Sequence, residues 1–149
     1  MENVLSWFQP TFQSKEAKEI SPLNRRISFE DMKHAHKNDY LIINTLPLTN
    51  QACLIKGTTD AAEEEDMINE MIAHDEMDRI IVVYGSNSCD TTTEKKLQEL
   101  CDVGFRRVYI YSGGLFEWLL LQDIYGEAEF TTTAKIVDLL AYQPSRRKF

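Results

Sequence analysis

The sequence predicts a single α/β domain, a parallel sheet covered by helices, and three observations predict it. Tyr40-Leu41-Ile42-Ile43-Asn44, Arg79-Ile80-Ile81-Val82-Val83-Tyr84 and Arg107-Val108-Tyr109-Ile110-Tyr111 are continuous apolar runs, of the length expected for strands buried on both sides. Segments of helical periodicity lie between them, and that alternation is the signature of parallel strands joined by helical crossovers. The chain has 149 residues, 43% hydrophobic and 27% charged, which gives one ordinary domain with enough core to fold without staples.

Each element has its own local reason. Residues 1–25 stand outside the rhythm as a polar arm carrying Trp7, Phe8 and Phe12 around Pro10; it is expected to pack irregularly on the domain, or to dock a partner or a second subunit. The domain proper is expected over 26–142, opening with a short strand at Arg26-Ile27-Ser28. A helix over Phe29–His36 follows, with Ser28 as N-cap and Asp31 three residues on. Leu54-Ile55 before Gly57 is another short strand, which brings the sheet to about five. From Asp60 to Asp78, Met67, Ile68, Met71 and Ile72 recur as the apolar stripe of an amphipathic helix. Thr91–Val103 is a helix with Leu97, Leu100 and Cys101 inward and Gly104 as its stop. Asp90 or Thr91 is its expected N-cap, with Glu94 closing a Thr-x-x-Glu box. Leu115–Gln122 is apolar nearly all round and should be largely buried, with Phe116, Trp118 and Tyr125 in the core. A last helix is expected over Thr131–Tyr142, with Ile136, Val137, Leu139 and Leu140 inward. Residues 143–149 form a solvated basic tail containing Arg146-Arg147-Lys148.

The formal charge is −8, which disfavours nucleic acid and anionic membranes as partners, since both require concentrated positive charge. That charge is not spread evenly. Nine acids and no Lys or Arg lie between Asp60 and Asp78, and outside that stretch fifteen acids face sixteen bases. The acidic face, with Glu63, Glu64, Glu65 and Asp66 at its centre, reads as a solvated helix surface or a docking surface for a basic partner. No apolar run is long enough for a membrane span, and the N-terminus does not open like a signal peptide. The three cysteines, Cys53, Cys89 and Cys101, are odd in number and widely spaced, which predicts a reducing, intracellular and cytoplasmic setting.

The block from Ile80 to Trp118 runs IIVVYGSNSCDTTTEKKLQELCDVGFRRVYIYSGGLFEW. This order resembles the rhodanese-like domain: a strand, a six-residue loop and helix, Gly-Phe, a Val-Tyr strand, then Gly-Gly-x-x-x-Trp. Leu41-Ile42-Ile43-Asn44-Thr45 resembles that family's Leu-Ile-Asp-Val-Arg, and Leu54-Ile55-Lys56-Gly57-Thr58 its His-Ile-Pro-Gly-Ala. The stretch from Gly114 to Gly126 resembles a subgroup seen in protists and giant DNA viruses. The resemblance covers about residues 26–125 and implies a three-layer α/β/α fold with a central parallel sheet of about five strands and helices on both faces.

It also implies where chemistry would lie. Rhodaneses place a thiolate at the first loop position to accept a sulfane sulfur, backbone N–H groups to hold the anion, and commonly a basic residue at the sixth position. The corresponding loop here is Gly85-Ser86-Asn87-Ser88-Cys89-Asp90. The nucleophile position is Gly85 and the sixth position is Asp90, while Asn44 and Leu46 replace the family's Asp and Arg. The resemblance therefore implies a member lacking the catalytic cysteine, without a cofactor, whose partner is a protein or, through the arm, a second copy.

Cys89 carries the alternative reading, a degenerate sulfurtransferase or thiol-redox protein. It lies near a helix N-terminus, where thiols become acidic, but Asp90 and Glu94 oppose thiolate formation. A phosphatase Cys-x5-Arg reading fails because position 95 is Lys, which lacks the planar bidentate fork. His34, His36 and His74 lack metal-ligand spacing and are expected to be exposed or capping. Cys53 and Cys101 are expected as small core residues. Ser86 and Ser88 have no histidine nearby in sequence to activate them. Gly113-Gly114 matches no nucleotide-binding loop.

Overall fold

A computed structural model describes residues 22–149; Trp7, Phe8 and Phe12 lie outside the described residues. After a 3-10 turn at Pro22–Arg25, the chain forms β1 (Arg26–Ile27), α1 (Phe29–Lys37), β2 (Leu41–Asn44), α2 (Ala61–Ala73), β3 (Ile81–Tyr84), α3 (Thr92–Val103), β4 (Val108–Tyr111) and α4 (Gly114–Tyr125). The four strands make one parallel sheet in the order β1-β4-β3-β2, with Leu41 opposite Ile81 and Ile81 opposite Val108.

Strand residues alternate between two apolar layers. Leu41, Ile43, Ile81, Val83, Val108 and Ile110 face α2 and α3, meeting Met71, Leu97, Leu100 and Val103. Ile42, Val82, Tyr84 and Tyr111 face α1 and α4, meeting Met32, Ala35, Leu115, Trp118 and Leu119. Every β2 and β3 residue is buried, as their unbroken apolar runs require. The helix over α1 is set by a complete capping box: Ser28 Oγ accepts the Asp31 N–H, and Asp31 accepts the Ser28 N–H at 3.0 Å. Gly104 closes α3 at φ 121°, a conformation that a Cβ disfavours.

Two departures matter. Leu54-Ile55 does not join the sheet; Ile55 makes only an isolated antiparallel bridge to Thr132, and Thr58 a parallel one to Ile42. The expected last helix over 131–142 is absent except for a 3-10 turn at Leu139–Tyr142. The physical reason is competition for backbone groups. The Thr131 carbonyl accepts the Lys56 N–H at 3.1 Å, and the Thr133 N–H donates to the Leu54 carbonyl at 2.8 Å. Three consecutive β-branched threonines favour that extended path. Val137 is consequently 98% exposed and Leu140 57%. In α4, Trp118 is buried and Phe116 half-buried, but Tyr125 is 65% exposed and touches only the edge of the aromatic layer at Phe130. No helix among the described residues is long and apolar enough to cross a membrane.

Candidate functional site

The loop from Gly85 to Asp90 leaves the C-terminal end of β3, a central strand, and enters α3; in open α/β sheets this is the edge where ligands are held. Its geometry is dominated by Asp90. One carboxylate oxygen, Oδ2, accepts the Ser86 N–H at 3.0 Å. The other, Oδ1, accepts the Thr92 N–H at 3.0 Å and the Thr92 hydroxyl at 2.6 Å. Partial burial opposes ionisation of Asp90, but bonds from the Thr92 hydroxyl and the Ser86 and Thr92 amides outweigh it. The carboxyl is thereby held below its ordinary value of 3.8.

That carboxylate occupies the space in front of Gly85. A Cβ at position 85 would stand 2.5 Å from Asp90 Oδ2 and 2.9 Å from its Cγ, well inside van der Waals contact. A side chain at position 85 and this Asp90 rotamer exclude one another. Two amides flanking the loop are already spent on an anion, and that anion belongs to the chain.

The rest of the loop is fastened from behind. Gly85 and Ser86 carbonyls accept the Leu115 and Phe116 N–H groups, each at 2.9 Å. Asn87 Nδ2 donates to the Tyr142 carbonyl at 3.0 Å, while its Oδ1 accepts the Cys89 N–H at 3.0 Å. Gly114 makes this docking possible. It sits at φ +67°, and a Cβ there would lie 2.8 Å from both the Asn87 nitrogen and the Gly85 oxygen. The second glycine of the Gly-Gly pair thus serves backbone contact between α4 and the loop, while a Cβ on Gly113 would meet the Glu117 side chain instead.

The structure sorts the other sequence candidates. Cys89 is exposed, with Sγ 4.0 Å from Ser88 Oγ. Glu94 does not close a capping box: Thr91 makes no side-chain cap bond, and Glu94 pairs with Arg26 at 2.7 Å, so Asp90 alone caps α3 from its side chain. Lys95 lies within α3, so the span from Cys89 to Lys95 cannot wrap an oxyanion as a loop. His34 is exposed, whereas His36 is half-buried with Nε2 3.3 Å from Thr131 Oγ1, and His74 Nδ1 lies 2.8 Å from the Glu70 carbonyl. None stands beside Ser86 or Ser88. Cys53 is buried and Cys101 half-buried; burial raises both thiols. Among the described residues no group of three His, Cys, Asp or Glu is placed to hold a metal.

The acidic face is less uniform than its sequence. Glu63, Glu65 and Asp66 are exposed, but Glu64 is half-buried and paired with Lys96 of α3. Asp60 caps α2 by accepting the Ala62 N–H, and Asp78 grips Arg106 through bonds of 2.7 and 2.9 Å. Sequence reasoning assigned Asp90 a capping role and missed its second one. The available signal was a glycine at one end of the loop and an acid at the other, since only a missing side chain leaves room for the carboxylate. Two further polar groups near the sheet edge escaped notice. Asn44, 6% exposed, accepts the Leu46 N–H while its Nδ2 has no partner among the described residues, and the buried Tyr111 hydroxyl donates to Glu117 at 2.8 Å.

Comparison with known proteins points the same way as the fold. A family profile described as Rhodanese-like domain matches residues 48–121. No curated protein matches the chain. Among solved structures, the Alr3790 protein from Anabaena sp. shares 24% identity over 74% of this chain and 94% of its own, at a TM-score of 0.54. A full-length protein from Lactobacillus plantarum shares 23% over 67% of this chain and 85% of its own, at 0.53. The solution structure of the rhodanese-like domain of Alr3790 shares 23% over 84% and 94%, at 0.51. At these identities the likeness is one of fold. Together with the profile match, it establishes that this chain carries a rhodanese-like domain.

Proposed function

We propose that this rhodanese-like domain is catalytically inactive and acts as a protein-interaction or regulatory module. The observation that carries this reading is the exclusion between positions 85 and 90. Gly85 offers no nucleophile where the family resemblance puts one, and the Asp90 carboxylate, 2.5 Å from the place of a Cβ, fills the gap with negative charge. A thiosulfate anion would meet that charge rather than a cradle of free amides. The loop is also held by three bonds, two from α4 backbone amides and one from Asn87 to the Tyr142 carbonyl, which suits a surface more than a turnover cycle.

The test is sulfur transfer. In a rhodanese reaction a thiolate attacks the outer sulfur of thiosulfate, sulfite leaves, and cyanide removes the sulfur as thiocyanate. Incubation with thiosulfate should add no sulfur atom to the intact mass and release no thiocyanate on adding cyanide. The competing reading assigns the reaction to Cys89, whose exposure favours access. A persulfide that disappears in Cys89→Ser would overturn the inactive reading and establish that alternative.

A further inference from the structure

The side of the sheet covered by α2 and α3 carries an open groove of about 370 Å³ between the two helices. Its walls follow directly from helical spacing. From α2 come Ala61, Glu64, Glu65, Ile68, Asn69 and Ile72, steps of three and four; from α3 come Lys96, Glu99, Leu100 and Val103 in the same steps. Both helices are crossovers between parallel strands and therefore run side by side in the same sense. The floor is aliphatic: Ile68 and Ile72 are half-buried and present the open apolar surface, over Leu100 and Val103 of the core, and the rim is ionic.

The rim charges decide what fits. Three carboxylates, Glu64, Glu65 and Glu99, face one ammonium, Lys96, and that ammonium is already paired with Glu64. Glu65 and Glu99 are exposed and make no ion pair among the described residues. An aliphatic floor between two unpaired carboxylates is complementary to a segment with apolar residues on one face and Lys or Arg beside them. A groove between parallel helices accepts such a segment as a third helix, with anchors at i, i+3, i+4 and i+7. Salt weakens rim contacts of this kind, so the floor must supply much of the affinity.

From this juxtaposition we infer that the α2–α3 groove is the docking site, and that its occupant is a basic amphipathic helix of a partner protein. The inference rests on the interaction-module reading and names the surface and chemistry of the partner. It also narrows the acidic face to the residue that borders apolar surface: Glu65 contributes, with Glu99 of α3 across from it, whereas Glu64 is committed to Lys96.

The probe is a fluorescein-labelled helical peptide of Leu and Lys with its leucines on one face, read by anisotropy against the full chain. An isomer of identical composition, with leucines spread around the helix, is the comparison. The one-sided peptide is expected to bind at least about tenfold more tightly than the isomer, and the double variant Glu65→Lys/Glu99→Lys should lose at least about tenfold. Both positions are exposed, and circular dichroism verifies that the variant is folded. The variant Asp123→Lys/Glu127→Lys makes the same charge change on exposed positions of α4 and its following turn, and should bind nearly as wild type. Equal binding of both peptides, no binding of either, or equal weakening by the two variants would overturn the inference. So would a dimer in light scattering that Glu65→Lys/Glu99→Lys dissolves, because it would give the groove to a second copy. Failure here without persulfide formation leaves the inactive reading standing; persulfide on Cys89 removes that reading whatever the peptides do.

Discussion

The two layers around the sheet are built on different principles. The layer under α2 and α3 is aliphatic, a continuous set of Leu, Ile, Val and Met from regular elements, with Phe105 as its one fully buried ring among the described residues. The layer under α1 and α4 is aromatic and stitched. Trp118 meets Phe130 edge-on at 5.0 Å and Tyr111 at 6.1 Å, and its indole N–H donates to the Thr131 carbonyl at 3.1 Å. Tyr84, fully buried, accepts the Ile55 N–H and lies 2.7 Å from the Thr58 hydroxyl. The first layer needs only volume. The second uses polar tips to bind irregular backbone, the strap at 130–134 and the turn at 53–58, that no helix or strand ladder would satisfy.

That difference is open to direct attack, starting where both volume and bonding are concentrated. Trp118→Ala should cost about 3–5 kcal/mol in urea unfolding and release the strap as well, seen as faster amide exchange at Lys56 and Thr133. Leu97→Ala, in the aliphatic layer, should cost about 2–4 kcal/mol with no change in exchange at those amides. Equal exchange effects from the two variants would abolish the distinction between the layers.

Tyr84→Phe keeps the ring and removes the hydroxyl, leaving the Ile55 N–H unpaired; about 1–3 kcal/mol is expected. Burial raises the Tyr84 hydroxyl far above its ordinary value of 10.0, so its contribution is constant below that value and is lost as the pH rises beyond it, where the unfolded chain ionises first. A loss within error of zero would mean that the turn at 53–58 is held by packing alone.

Asp90 belongs to neither layer and has a smaller, pH-dependent effect. Its folded carboxyl lies below the ordinary value of 3.8, so the unfolded chain binds the proton first. The stabilisation is present above that value and is lost as pH falls through the folded pKa. Asp90→Asn should lower stability by about 0.5–2 kcal/mol near neutrality and flatten the acid limb of the stability curve relative to wild type. An unchanged acid limb would show that the carboxylate's bonds to Ser86 and Thr92 carry no net energy. The smallest effect is expected at Val137→Ser, within about 0.5 kcal/mol, because a residue 98% exposed has nothing to lose. A larger cost would restore the helix that the periodicity of 136–140 suggested.

Much of the fold was legible because its determinants are local. Unbroken apolar runs became β2 and β3, buried at every residue, and Ser28 with Asp31 capped α1 as the three-residue spacing required. Position 85 was legible too, since a glycine cannot be a nucleophile in any structure. The segment 131–142 misled for a related reason. Its apolar spacing was real, but spacing cannot report that Leu54 and Lys56, far away in sequence, would claim its backbone groups. Glu94 misled likewise: the capping pattern was present, yet Arg26, 68 residues away, offered a charge.

The sequence by itself determined the α/β alternation, the caps, the acidic stretch and the missing side chain at Gly85. All of these are statements about a residue and neighbours within one turn or one strand. Only the tertiary structure decided what fills the space in front of Gly85, which acids of the stretch stay unpaired, and that two apolar stripes border a common groove. Those outcomes depend on groups brought together across the sheet or around a loop, where distance and burial select one pairing among many that the sequence allows.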